Sequence, residues 1–374
     1  MKNNKNLVFY YPLNDGAPSA VGRSIFENLL KKKDELPFNA ISIFSPFKHK
    51  SIVESKFTDI PIFTERNILS IKNSIIHIPV SPLLLPNSKF LLQLYSMFGN
   101  NNLIFNYHGD IRTEVALNYK TNHKINYSYI PSCIFLPALL KSPDQLIVHS
   151  YLFKNLVLNK YGVTNAIVIP NGVEDYWYSS DYTPLPKNEG VTEIFYHGRL
   201  SAEKGVDILI KGFDKFLRGE KVHKALLYIA GDGPQKKFLE MMIQDLKLNQ
   251  NVILLGNLDK SIIKGYLKKV DVAIYPSVWD NFPLSYIEAF ASANCPVYFS
   301  KKAGIYDFVI RSKKQLYGFE PNIDTICKII SNVHKKEFNM EVLEQQKNFA
   351  IACNWDSVIN DYIDVYSQIV LSNK

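Results

Sequence analysis

At 374 residues the chain is too long for one ordinary hydrophobic core and suits two domains, and a content of 47 % apolar and 21 % charged residues excludes a disordered protein. Four cysteines, Cys133, Cys295, Cys327 and Cys353, form no Cys-x-x-Cys or Cys/His cluster, which excludes a zinc or dithiol motif and leaves them as buried thiols in a reducing compartment. The net charge of +8 lies wholly in residues 1–160, where 18 Lys and Arg face 10 Asp and Glu; the rest of the chain is balanced at 25 each.

The polar start Met1 to Lys5 runs into Leu7 to Pro12, an apolar stretch too short for a signal h-region and followed by no small-residue cleavage site. No stretch reaches the ~20 apolar residues that span a bilayer. The protein is therefore expected to be cytoplasmic, with any membrane contact peripheral and on the cytoplasmic face. Short apolar runs predict strands at Leu7–Tyr11, Ala40–Phe44, Ile75–Ile78, Leu103–Tyr107, Leu146–Val148 and Ile167–Ile169, with helices such as Ser19–Lys32 and Ser150–Lys160 between them. Asp181 to Gly190, with two prolines, a glycine and polar residues, predicts an interdomain linker. Beyond it, strands are predicted at Glu193–Tyr196, Ala225–Ala230, Val252–Leu255, Val272–Tyr275, Val297–Phe299 and Leu316–Phe319, alternating with helices such as Val206–Leu217 and Phe238–Leu246. Nearly continuous apolar strands alternating with helices indicate parallel sheets covered on both faces, in two doubly wound α/β domains. Ligands of such sheets bind outside the carboxyl ends of the strands. Trp355 to Leu371 carries one helical apolar stripe that needs a surface to cover it.

Two segments carry the chemistry. Gly198-Arg-Leu-Ser-Ala-Glu-Lys-Gly205 follows a strand and opens a helix, so Arg199 and Lys204 bracket a turn where a pyrophosphate could sit. Taken alone, it equally reads as an Arg199–Glu203 pair beside a solvated Lys204. In Tyr275-Pro-Ser-Val-Trp-Asp-Asn-Phe-Pro-Leu-Ser-Tyr-Ile-Glu288, a strand ends in a loop that enters a helix near Pro283. Asp280 in the loop and Glu288 in the helix can each accept hydrogen bonds from a diol. Backbone N–H groups near Leu284 and Ser285 can hold phosphate oxygens. Taken alone, the two carboxylates read rather as a turn residue and a helix surface charge.

Together these segments resemble the family 4 retaining glycosyltransferases, which have the GT-B fold. The resemblance extends to Val-His-Ser, Tyr-Gly and Ile-Pro-Asn-Gly-Val within 147–173, to Ala-Gly-Asp-Gly-Pro at 230–234, to Asn-Phe-Pro and Glu-Ala within 276–297, and to Ala-Gly-Ile-Tyr-Asp-Phe-Val at 303–309. It implies two Rossmann-like domains facing across a cleft. These are 1–180 for the acceptor, a 181–190 linker, and 191–354 for the nucleotide sugar, with a C-terminal helix, 355–374, packing back on the first. It also implies that Arg199 and Lys204 hold the donor pyrophosphate and that Glu288 binds the ribose hydroxyls. Asn281, Phe282, Leu284 and Ser285 would line the donor loop. Asp280 stands where the family has Glu beside the donor sugar, and its carboxylate reaches about 1.5 Å less far. His108, in Asn106-Tyr-His-Gly-Asp110, matches the His that contacts the donor sugar; without the resemblance it reads as a histidine satisfied by backbone at a strand end. Gly16, in Asp15 to Gly22, stands in the place of the family's glycine-rich loop.

No Asp-x-Asp occurs in the chain, which agrees with metal-independent chemistry and no cofactor, the donor being a UDP- or GDP-sugar. The resemblance implies hexosyl transfer with retention to a glycan acceptor hydroxyl. The basic first half, with apolar stretches at Leu83–Leu85, Phe90–Phe98 and Tyr127–Leu140, suits a lipid-linked acceptor at a membrane surface. Any one stretch by itself reads rather as core. Two other readings stay open: a sugar-nucleotide epimerase of this architecture, and a degenerate glycan-binding protein with Asp280 as the lesion. Nucleic acid is not expected as a partner, because no basic run exceeds Lys31–Lys33.

Overall fold

The computed structural model describes residues 5–14, 16–81, 87–96, 100–122, 127–219 and 224–372. It divides into two compact units. The first comprises Met1–Val115, Asn126–Gly172 and Trp355–Lys374, and the second Ala116–Ile125 and Val173–Asn354. Residues 181–190 lie along the second unit: Thr183 donates its N–H to the Ser261 carbonyl at 3.1 Å, and Lys187 pairs with Asp271 at 2.7 Å.

The first unit holds β1 (Asn6–Tyr10), β2 (Ile41–Phe44), β3 (Ile62–Phe63), β4 (Ser74–Ile78), β5 (Asn102–Tyr107), β6 (Gln145–Val148) and β7 (Ala166–Val168). They form one parallel sheet in the order β3-β2-β1-β4-β5-β6-β7, with Val8 opposite both Ser42 and Ile76. The strand missed by pattern is β3, two half-buried residues with no period to read. Helices α1 (Ala17–Lys31), α2 (Lys50–Lys56), α3 (Ser88–Ser96), α4 (Ile111–Asn122), α5 (Ile130–Lys141) and α6 (Tyr151–Tyr161) occur between them in chain order. Ser150 caps α6 by accepting the Phe153 N–H at 3.2 Å, and Gly162 ends it in the left-handed region.

The second unit holds β8 (Thr192–His197), β9 (Ala225–Ala230), β10 (Val252–Gly256), β11 (Val272–Tyr275), β12 (Val297–Ser300) and β13 (Tyr317–Phe319). Their parallel order, β10-β9-β8-β11-β12-β13, is the doubly wound 3-2-1-4-5-6 order, so the switch point falls between β8 and β11. Its helices are α7 (Val206–Gly219), α8 (Lys236–Asp245), α9 (Lys260–Lys269), α10 (Leu284–Ser292), α11 (Ile305–Arg311), α12 (Ile323–His334) and α13 (Glu341–Ala352).

The final helix, α14 (Trp355–Ser372), belongs to the first unit. Its stripe is covered there: Trp355, Val358, Ile359, Tyr362, Val365 and Tyr366 are buried. A polar network pins it. Tyr366 Oη lies 2.6 Å from His77 Nδ1, and His77 Nε2 lies 2.8 Å from Asn106 Oδ1. Asn106 in turn donates to Tyr362 Oη at 2.8 Å. Because Asn106 Oδ1 can only accept, Nε2 carries the His77 proton and Nδ1 accepts from Tyr366. Burial holds the imidazole neutral, with its pKa lowered to about 4.

Candidate functional site

The carboxyl edge of the second sheet is built by glycines that let three loops touch. Gly198 follows β8 with φ 147°, and Tyr196 Oη donates to the Arg199 carbonyl at 3.1 Å. Across from it, a Cβ on Gly231 would lie 1.9 Å from the Gly198 carbonyl oxygen, and one on Gly233 would lie 2.4 Å from that of Leu200. Only glycine permits this approach of the loop after β9. Gly205, left-handed at φ 65°, ends the short turn Ala202–Lys204 and starts α7, and a Cβ there would meet the Pro276 carbonyl at 2.3 Å. The loops after β8 and β11 therefore pass in backbone contact, with the Val278 N–H donating to the Glu203 carbonyl at 2.8 Å.

This contact sets the candidate side chains together. Lys204 and Asp280, both largely buried, form an ion pair, and Ser277 Oγ lies 3.5 Å from the same Asp280 oxygen. Asp280 is further fixed by its backbone, whose carbonyl accepts the Gly304 N–H at 3.0 Å. Arg199 is exposed and its guanidinium has no ion pair among the described residues; Glu203, its alternative partner in sequence, is instead engaged by Ser201. Helix α10 begins at Leu284 with Pro283 as its N-cap and no side-chain cap, so its first N–H groups, at Leu284 and Ser285, open toward the loop. Ser285 faces the β8 loop, its Oγ 3.7 Å from where a Gly198 Cβ would be. Asn281 and Phe282 have buried side chains, Phe282 standing edge-on to Phe308 at 5.2 Å. One turn into α10, Glu288 Oε2 lies 3.1 Å from His197 Nε2, and His197 Nδ1 lies 2.7 Å from Tyr275 Oη. Sequence reasoning missed His197, although a polar residue closing an apolar strand just before Gly198-Arg199 was a visible signal.

The other two candidates, Gly16 and His108, lie at the carboxyl edge of the first unit. Gly16 has φ 108° and starts α1, while Asp15 lies outside the described residues. The approach of α1 to the strands is made at Gly22, where a Cβ would meet Pro12 and Pro79 at 2.8 and 2.9 Å. His108 follows β5; its Nε2 donates to the Pro79 carbonyl at 2.9 Å and its ring lies 4.5 Å from that of His149. Burial lowers its pKa to about 4 despite that hydrogen bond. Two residues on, Asp110 is fully buried and receives Tyr107, Thr113, Lys160 and Tyr161. Of the apolar stretches, 83–85 and 97–98 lie outside the described residues. In α5 the stretch is split: Leu136, Leu139 and Leu140 are core, whereas Ile130, Ile134 and Phe135 are exposed.

Two parallel doubly wound sheets with their loops arranged in this way define the GT-B fold. A solved structure agrees: sucrose-phosphate synthase from Thermosynechococcus elongatus superposes with a TM-score of 0.70 at 15 % identity, covering 99 % of this chain and 100 % of that one. The Anabaena protein HepE, solved with UDP and glucose, does so at 0.67 and 14 %, covering 98 % and 100 %. Residues 181–351 match the family model Glycosyl transferases group 1, so the second unit carries a glycosyl transferases group 1 domain. In sequence the chain is 28 % identical over 177 residues to an uncharacterized glycosyltransferase of Methanocaldococcus jannaschii. That match spans 46 % of this chain and 44 % of the relative, so the chain spans less than half the length of that relative.

Proposed function

We propose that the protein is a retaining, metal-independent glycosyltransferase that moves a hexosyl group from a UDP- or GDP-sugar to a glycan hydroxyl. The observation that carries this reading is the meeting of Arg199, Lys204, the open start of α10 and Glu288 at one switch point. Arg199, Lys204 and the α10 N–H groups neutralise the diphosphate as the bond to the anomeric carbon breaks. The acceptor oxygen bonds to that carbon on the same face, and its proton passes to the departing diphosphate. Glu288 accepts the ribose diol. Asp280 holds Lys204 in place and stands beside the donor sugar, and His108 is the first unit's candidate for orienting that sugar. The Anabaena neighbour's complex with UDP and glucose supports a nucleotide-sugar donor.

A panel of UDP-, GDP- and ADP-sugars tests this by thermal stability. At about 100 times its dissociation constant, the true donor stabilises the protein by ~2.7 kcal/mol. The shift is expected with one of them and is expected to vanish in Glu288→Ala and Arg199→Ala. No shift with any sugar nucleotide refutes the donor site. A shift without transfer to any acceptor leaves a nucleotide-sugar-binding protein.

The acceptor is proposed to be lipid-linked and presented at a membrane surface. The exposed Ile130, Ile134 and Phe135 of α5 and the +8 charge of residues 1–160 support this. Vesicles containing anionic lipid are expected to sediment the protein at low salt, and Ile134→Glu together with Phe135→Glu to release it. Equal partition of both proteins into the supernatant would refute membrane contact.

A further inference from the structure

We propose that His197 is a positioning residue that holds Glu288 in the geometry needed to grip a ribose diol. The inference rests on the reading of Glu288 as the ribose-binding carboxylate, and it assigns a function to a residue outside the motifs.

Three elements converge on the His197 ring. Tyr275 on β11 lies at Nδ1, Glu288 on α10 lies at Nε2, and the Trp177 ring stacks on its face at 6.2 Å and 20°. Phe195, on its own strand, stacks at 5.7 Å. Tyr275 and Glu288 are the titratable groups at the two ring nitrogens. Trp177 is itself tied to α10, because Ser292 Oγ donates to its carbonyl at 2.8 Å. The imidazole is thus clamped between the β8 end and the helix that carries Glu288.

The proton positions follow from the partners. An ionised carboxylate only accepts, so Nε2 carries the hydrogen and donates to Glu288 Oε2. With the ring neutral, Nδ1 accepts from the Tyr275 hydroxyl. The chain Tyr275 to His197 to Glu288 runs in one direction and ends on the carboxylate. Glu288 keeps a side-chain exposure of 20 %, and His197 is its one hydrogen-bond partner among the described residues. One oxygen is therefore held from behind, and the other is left to accept from a ligand. Without His197 the side chain would have to be ordered by the ligand itself, at the cost of its rotamer freedom.

The test is isothermal titration of the full chain with UDP, GDP and ADP and with their 2′,3′-dideoxy forms. The variants are Glu288→Ala, His197→Phe, His197→Gln and Tyr275→Phe. Phenylalanine keeps a ring against Trp177 and removes both hydrogen bonds, whereas glutamine keeps a donor for Glu288. For the best-binding ribonucleotide, His197→Phe is expected to weaken affinity about tenfold, the loss of a hydrogen bond to a charged group. The dideoxy form should lose less than about twofold, because its ribose offers no diol to Glu288. His197→Gln is expected to recover most of the loss. Tyr275→Phe, which leaves the ring in place, carries the same ribose-selective loss in smaller degree and serves if His197→Phe does not fold. Equal losses for the ribo and dideoxy forms overturn the inference. So does unchanged affinity in the His197 variants while Glu288→Ala still weakens binding; in that case the donor-site reading survives. If Glu288→Ala is also silent, or no nucleotide binds the unsubstituted chain, both fall.

Discussion

Replacing Asp110 with alanine is expected to destabilise the first unit by about 3–5 kcal/mol, the range for leaving a buried charge network broken. Asp110 Oδ1 accepts from Tyr107 Oη at 3.0 Å and Tyr161 Oη at 2.5 Å. Its Oδ2 accepts from Thr113 Oγ1 and Lys160 Nζ, both at 2.6 Å. Burial alone would push this carboxyl up; Lys160, Thr113 and Tyr161 outweigh it and hold it below the ordinary range. Alanine would leave two phenols and a hydroxyl without their acceptor in the interior, whereas Lys160, half-exposed, could turn to water. Asp110→Asn keeps the volume and one acceptor but turns an amide NH2, which can only donate, toward two of the donors, so about half the loss is expected. Under the proposed function, transfer is expected to fail in both variants, because His108 sits two residues earlier, while nucleotide binding proposed for the second unit survives. Urea melts and nucleotide titrations of the two variants check this. A stability loss below about 1 kcal/mol would show that the four bonds are dispensable.

What was legible in the sequence was the local part. Strands β8 to β13 are short apolar runs between turn residues, and their ends were read to within a residue or two. Gly205, Gly231 and Gly233 mark the loops at the carboxyl edge because no other residue accepts their backbone contacts, and Gly198 because its φ of 147° suits glycine. The partners that matter most were not legible, since they join residues far apart in the chain. Lys160 and Tyr161 reach Asp110 across about fifty residues, and His197 meets Glu288 ninety-one residues on. Glu193 is a further case: fully buried at the start of β8, it pairs with Lys269 at 2.9 Å and accepts from Tyr228 and Asn188. A charged residue opening a strand looks like a solvated edge until α9 is placed over it. The Lys204–Asp280 pair likewise gives the shortened carboxylate a purpose that spacing alone did not suggest.

Acidification is expected to weaken the first unit well before its carboxylates titrate. His77 and His108 have pKa values lowered to about 4, and that of His149 is lowered well below the ordinary range; burial is the leading cause in all three. His149 is fixed through Nδ1 to the Ile169 carbonyl at 2.9 Å, and its buried Nε2 has no partner among the described residues to welcome a second proton. An unfolded histidine binds its proton near pH 6.5, so below that value the unfolded chain takes up protons that the folded chain refuses. The stabilisation is thus complete above pH 6.5 and is lost as pH falls toward 4, at up to about 1.4 kcal/mol per pH unit for each fully buried ring. His108 is only half-buried and contributes less. Asp361, whose carboxyl is raised by burial and by Asp364, acts with the opposite sign, gaining stability as pH falls, so it offsets part of the histidines' slope at the acid end of the range. Urea melts at pH 7, 6 and 5 are expected to show this slope, and His149→Phe, which keeps a ring beside His108, to reduce it by one histidine's share. A flat profile, or one unchanged by His149→Phe, would mean that protons reach these rings in the folded protein. Two of the three rings, His108 and His149, follow β5 and β6 at the carboxyl edge of the first sheet, so the burial that keeps them neutral at physiological pH is expected to make this edge the first to yield in acid.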